Sequence, residues 1–331
     1  MISLVKTNYV EEINPAAKFQ GAYSAMLNSL DRFSSYLSPG ETIIYRAFQS
    51  GRAYATGIFG NKTLDYFYVV DVRPDSPAFG AGLRTGDLIK GVNGKSIFGK
   101  SYWQMYLKLL TGEKETLALR VLKKESGREV QIEVETAVSK GNLIHHQLGD
   151  HIHRLELGCL NEDCFAKIKS FLSARRPEKI ILDLRWYRGG TFNGFKKLAG
   201  LFVQKDTSLM IKTRKGTVTT LLGSEDHYKG KAVVLIGQST VMYGEILAAL
   251  LKGQGKHTGQ RILLMGQTTG RFSARLRHFA MEDGSSILLT EGLYVVNNRD
   301  INRNGVQPHI QVKEKDLPRM DELAVNRLNS L

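Results

Sequence analysis

The densest chemistry in the sequence lies between residues 239 and 277. Ser239, Thr240 and Ser273 offer hydroxyls, and Arg271, Arg275 and Arg277 alternate with Phe272, Ala274 and Leu276. In a strand this alternation sends Arg271, Ser273, Arg275 and Arg277 to one face and the apolar three to the other. A row of guanidinium groups suits bidentate capture of carboxylate or phosphate, so the three arginines are candidate anion ligands. A solvated charged strand face is the competing expectation. Ser239 and Thr240 stand just before a helical pattern and are expected to cap it. Four of the eight histidines, His145, His146, His151 and His153, cluster together, with His151 and His153 on one strand face. They lack cysteine or carboxylate partners at ligand spacing, so they read as a solvated linker, and no metal or cofactor is expected. Cys159 and Cys164 are too few for a disulfide framework or a structural zinc site. Gly253-Gln254-Gly255-Lys256 lacks both phosphate-loop spacings and reads as a plain loop, while Trp103 and Trp186 read as packing groups.

These residues need elements to hold them. Asn14 and Pro15 signal a helix start, followed by Phe19, Tyr23, Met26, Leu27 and Leu30 at helical spacing, and Ser38-Pro39-Gly40 is read as the end of that N-terminal unit. Strands are predicted over 66–72, 88–92, 116–122 and 129–135, with Asn93-Gly94 as a hairpin turn and a helix over 101–110. Beyond residue 139 the pattern changes. Helix 162–174 leads to apolar strand 179–184, and strand 231–237 leads directly into helix 243–252, which is α/β style with both sheet faces covered. A strand over 286–296 and a terminal helix over 316–331 close the chain.

The blocks Ser76-Pro77-Ala78, Ala81-Gly82-Leu83, Gly86-Asp87-Leu88-Ile89 and Val92-Asn93-Gly94 resemble the PDZ domains of bacterial and plastid proteases. The resemblance implies that an extended peptide is added to a sheet edge, its C-terminal carboxylate held by Thr56, Gly57, Ile58, Phe59 and Gly60. Around this module the chain is similar to the C-terminal processing, or tail-specific, proteases. The similarity runs through Tyr9-Val10-Glu11, Met26-Leu27 to Leu37, Asp183-Leu184-Arg185 with Gly189-Gly190, and Gly305-Val306 with Pro308. It implies an α+β and α/β multidomain fold: an N-terminal helical segment at 1–50, a PDZ domain at 51–138, and a ClpP/crotonase-like α/β protease core at 139–331.

The family chemistry uses a serine nucleophile, a neutral lysine base and a glutamine that orients the lysine. By the resemblance, the serine position is Met242, three residues before Glu245, the lysine position is Arg271 in Gly266-Gln267-Thr268-Thr269-Gly270-Arg271, and the glutamine position is Arg275. A thioether has no proton to lose and is a poor nucleophile toward an amide. Guanidinium stays protonated and offers only donors, so it cannot act as the base. Tyr187-Arg188 replaces the usual Asn-Pro before the paired glycines, with Gly189 as the oxyanion candidate. The expectation is a pseudoprotease that binds peptide or protein tails as scaffold or regulator. The alternative is an endopeptidase with a displaced nucleophile, Ser239 or Ser273.

The 331 residues carry 46 Lys and Arg against 32 Asp and Glu, a net charge of +14, at 42% hydrophobic and 24% charged content. That is globular composition, and intrinsic disorder is excluded as the main state. The positive charge is spread without blocks of like sign, so nucleic acid is not an expected partner. No apolar run reaches the roughly eighteen residues of a membrane span. By resemblance, homo-oligomers or a larger assembly are expected. The chain reads as cytoplasmic as it stands, and as a cell-envelope protein if an export segment precedes it.

Overall fold

The computed structural model describes residues 7–11, 15–63, 66–138, 143–148, 151–187, 189–254 and 262–331. Its central unit is a sheet ordered Leu143–Leu148, Ile152–Leu157, Lys179–Asp183, Lys231–Ile236, Ile262–Gly266 and Ile310–Gln311. The first pair is antiparallel and the rest are parallel. Apolar residues run almost unbroken through its middle strands because both faces are buried. Ile180, Leu182, Val234 and Leu264 face helices Glu162–Arg175, Phe192–Gly200 and Met242–Gln254, while Ile181, Val233 and Met265 face Met320, Ala324 and Leu328 of the last helix, Met320–Ser330. The predicted terminal helix is therefore present, entered through a 3₁₀ turn at Glu314–Arg319.

A second, antiparallel sheet is ordered Ile58–Thr63, Tyr66–Val72, Leu88–Val92, Thr116–Leu122 and Glu129–Glu135. Its strands follow the predicted alternation, with Leu117, Leu119 and Val121 buried. Helix Tyr102–Leu107 lies against it, started by Ser101, whose hydroxyl accepts from the Gln104 N–H while Gln104 answers the Ser101 N–H. A third sheet is built on the long strand Ser286–Val296, which pairs with Ser35–Leu37, Ala274–Ala280 and Ser208–Thr213.

Two expectations are corrected. Ser38-Pro39-Gly40 begins a helix, Pro39–Gln49: Ser38 and Glu41 form a reciprocal capping box and Pro39 takes the first turn, where its missing N–H costs nothing. The histidine segment is not a solvated linker but two paired strands of the core sheet, with His145 Nε2 3.0 Å from His153 Nδ1 and both rings against Phe171. Burial and neighbouring positive charge hold both imidazoles below their ordinary value. In helix Pro15–Asn28 only Leu27 of the expected apolar residues after Phe19 is buried, with Tyr23 and Met26 exposed. The Asn14 cap, Arg188 and residues 255–261 of the glycine loop lie outside the described residues. Trp103 and Trp186 are buried packing groups. Cys159 and Cys164 are buried free thiols, both pushed up to about 12 by burial.

Candidate functional site

Strand Lys231–Ile236 ends in a tight turn, and helix Met242–Gln254 starts at Met242 in the left-handed conformation, φ 51°. That backbone costs a non-glycine residue about 1–2 kcal/mol. It is the kind of sharp strand-to-helix turn that presents a nucleophile. Here it presents a thioether, packed between the two largest hydrophobic clusters. The Met242 N–H donates to the Phe272 carbonyl.

Neither Ser239 nor Thr240 caps this helix. Thr240 is fully buried; its hydroxyl accepts from the Gly237 N–H and donates to the Leu184 carbonyl, both at 3.0 Å. Ser239 donates to the Arg185 carbonyl at 2.7 Å and lies 3.3 Å from Asp71 Oδ2. Both hydroxyls brace the turn against the neighbouring strand end instead. Asp71, on strand Tyr66–Val72, is pushed up to about 6 by burial, against the pull of the Val72 N–H, the Arg185 charge and the Ser239 hydroxyl.

Glu245, one turn into the helix, organises the opposite wall. Its buried carboxylate accepts from the Thr269 hydroxyl and from the N–H groups of Arg271 and Phe272, each of the latter at 2.9 Å. Burial pushes this carboxyl up while the donors pull it down. The clamp holds Arg271 at φ 60° with its side chain exposed and turns Phe272 inward.

The expected row of three arginines in the cleft therefore does not form. The strand begins only at Ala274, its register shifts between Arg275 and Leu276, and Arg275 and Arg277 both turn to Glu291, at 3.3 and 3.2 Å. Ala274, Leu276 and His278 face the cavity instead. Ser273 is fully buried and bonded to Asn302 Oδ1 through both its N–H and its hydroxyl.

That cavity, of about 420 Å³, is lined by Met242, Ala274 and Leu276 and by Gly190 and Thr191. Gly190 must be glycine: its φ is 146°, and a Cβ would stand 2.2 Å from the Leu160 carbonyl oxygen. Gly189, the oxyanion candidate, is not among the lining residues; its carbonyl accepts from the Leu160 N–H, and it lies against Phe48.

The anticipated peptide loop is only partly a loop. Ile58, Phe59 and Gly60 belong to strand Ile58–Thr63, while Thr56 is buried and hydrogen-bonded to the Leu109 carbonyl and Gly57 lies on Ser76. The groove between this strand and helix Tyr102–Leu107 is filled. Phe272 meets Tyr102 at 4.4 Å, Phe33 at 4.5 Å and Trp103 at 6.0 Å between ring centroids, and Phe48 meets Tyr106 at 5.7 Å. Only about 20 Å³ of space remains there.

An ion network ties the second sheet to the core. Arg73 meets Glu156 at 2.7 Å, and Arg154 bridges Glu156 and Asp183 at 3.1 and 2.6 Å. Burial pushes the Asp183 carboxyl up, but Arg185 and Arg154 outweigh it and hold it down at about 2. Among the described residues no cluster of three or more His, Cys, Asp or Glu could hold a metal ion, and no helix is long and apolar enough to cross a membrane.

Residues 155–312 match Peptidase family S41 and residues 68–121 match the PDZ domain. The chain is 23% identical over 93% of its length to a "Probable CtpA-like serine protease" of Staphylococcus haemolyticus, and 24% identical over 95% to the carboxy-terminal processing protease CtpB of Bacillus subtilis. It spans 62% and 66% of those two proteins' lengths. Its fold matches the photosystem II D1 C-terminal processing protease with a TM-score of 0.74 at 22% identity, covering 98% of this chain and 89% of that one. The mixed α/β architecture with a PDZ domain and an S41 protease fold is thus as the sequence predicted, and the resemblance to the C-terminal processing proteases holds.

Proposed function

We propose that this chain, a PDZ domain joined to an S41 protease fold and homologous to carboxy-terminal processing proteases, binds peptide or protein C-terminal tails without hydrolysing them, as a scaffold or regulator. The observation that carries the reading is Met242. It sits in the strained position at the helix start where a nucleophile would stand, and a thioether cannot be deprotonated to attack an amide. Its surroundings support the same reading. Arg271 is exposed and cannot accept a proton, and the inward place beside it is taken by the ring of Phe272. With the PDZ groove filled by Phe272 and Phe48, tail capture in that groove would need the Phe272 ring to withdraw.

One observation favours the rival, a peptidase with a displaced nucleophile: the Ser239 hydroxyl lies 3.3 Å from Asp71, whose pKa is raised to about 6. Against it, Ser239 is only 2% exposed, its hydroxyl points to the Arg185 carbonyl, and the adjacent space is about 20 Å³. The test is incubation of the full chain with unfolded casein and with C-terminally labelled peptides, read by mass spectrometry, beside Ser239→Ala and Ser273→Ala. No new termini are expected. Cleavage that vanishes in either alanine variant would establish the rival.

A further inference from the structure

We infer that the cavity beside Met242 receives the free C-terminal residue of a peptide, its side chain against Met242, Ala274 and Leu276 and its carboxylate at Arg46; this rests on the reading that no bond is cut there.

The cavity holds about 420 Å³, inside the roughly 300–1,000 Å³ range of ligand pockets, and opens to solvent on one side. Met242, Ala274, Leu276 and Phe192 and the rings of Tyr45, Tyr243 and Tyr294 make most of its lining apolar or aromatic. Arg46, Gln49 and Ser50, from the last turn of helix Pro39–Gln49 and the residue after it, line it together with Thr191 and His278. Among the described residues that line it none is acidic. Arg46 is exposed and makes no ion pair among the described residues, whereas Arg275 and Arg277 are paired with Glu291. His278, also on the wall, has a buried Nε2 with no hydrogen-bond partner among the described residues. An apolar recess with one permanent positive charge among its described lining residues is complementary to an apolar group that carries one negative charge. The last residue of a polypeptide is such a group, and a side chain within a chain is not.

The rim is held in place before any ligand arrives. Thr42 Oγ1 lies 2.8 Å from Ser286 Oγ, Tyr45 meets Trp103 at 5.2 Å and His278 at 5.6 Å, and Phe48 is buried against Trp103 and Tyr106. Three successive turns of the helix are thus anchored, and Arg46 projects from a fixed backbone. Pre-organisation of this kind lowers the entropy lost on binding.

The experiment uses the immobilised full chain and a pool of decapeptides randomised in the last three positions, made once as free acids and once as C-terminal amides. Peptides are recovered and sequenced by mass spectrometry, with wild type and Arg46→Gln in parallel. Arg46 is on an exposed helix face, so the variant is expected to fold normally, and its thermal transition checks this. The expected result is about tenfold or greater retention of acids over amides by wild type, enriched in apolar last residues, with that preference lost in Arg46→Gln. Equal retention of both pools, no retention of either, or an acid preference that survives Arg46→Gln would each overturn the inference, the last because the carboxylate would then be held elsewhere. New termini in the pool would bring down the non-hydrolytic reading and this inference with it. An intact pool without acid preference would bring down this inference alone.

Discussion

Placing serine, lysine and glutamine at positions 242, 271 and 275, where the resemblance puts the family's catalytic residues, should not give proteolysis, and the reason lies in the loop rather than in the three side chains. Glu245 accepts from the N–H groups of Arg271 and Phe272, and this fixes residue 271 at φ 60° with its side chain in solvent. A lysine there keeps a pKa near 10.4, so at pH 7.4 about one molecule in a thousand holds it neutral. Relative to a lysine poised near 7, that is a handicap of ~4 kcal/mol before any cost of bringing the amine inward. The inward route is blocked as well, because Phe272 occupies it, 3% exposed among Phe33, Tyr102 and Trp103. The assay is release of a fluorophore from C-terminally labelled peptides by the variant Met242→Ser, Arg271→Lys, Arg275→Gln between pH 6 and 10. The expected outcome is no turnover near neutrality, with at most a trace that climbs about tenfold per pH unit. Ready turnover with a plateau beginning near pH 7 to 8 would refute the argument, since it would show a lysine already desolvated and deprotonated at this position.

Phe272→Ala should cost about 3–5 kcal/mol, read as a lower urea midpoint, and should raise the affinity of labelled tail peptides by emptying the PDZ groove; a loss under about 1 kcal/mol would mean the ring is not the plug described. Glu245→Gln puts an NH₂ against groups that already donate, so it should lose at least about 2 kcal/mol, while Glu322→Gln on the exposed final helix should be nearly neutral; similar effects from both would remove the clamp from the account. Asp71 has a folded pKa near 6, above its ordinary 3.8, so its native state binds the proton more tightly. Its stabilising contribution is full below about 3.8 and disappears as pH rises through about 6, and Asp71→Asn should flatten that part of the stability profile; an unchanged profile would contradict the assignment.

The regular elements were legible where one periodicity dominated. Strands Thr116–Leu122 and Glu129–Glu135 match their predicted bounds because polar and apolar residues alternate along them, and the parallel strands Lys179–Asp183 and Lys231–Ile236 stood out as apolar runs, while Ile262–Gly266 went unread. Helix Pro39–Gln49 was hidden because Pro39 and Gly40 look like breakers, although Ser38 and Glu41 already spell a capping box. Helix Phe192–Gly200 was hidden by its glycines, and Gly194 is there for contact: a Cβ would lie 2.6 Å from Asn161 Cα. Of the site, the identity of Met242 and its place at a strand-to-helix turn could be read from motif order. The orientation of Arg271, Arg275 and Arg277 could not. It depends on Glu245, more than twenty residues away in the chain, and on Glu291 across a strand pair, and local alternation carries no information about either. Arg46 was missed with its helix.

The hydrophobic cluster around Trp103 draws on three separate stretches: Phe33, Leu37, Tyr45 and Phe48 before the PDZ sequence, Phe67, Tyr102 and Tyr106 within it, and Phe272 and Leu288 far beyond it. The PDZ unit is therefore no detachable cartridge. Expressed alone, a piece cut close around the PDZ match at 68–121 would turn a shared aromatic seam out to water and should aggregate, so a soluble reagent for this region has to be carved with its N-terminal flank and a substitute for the ring at 272.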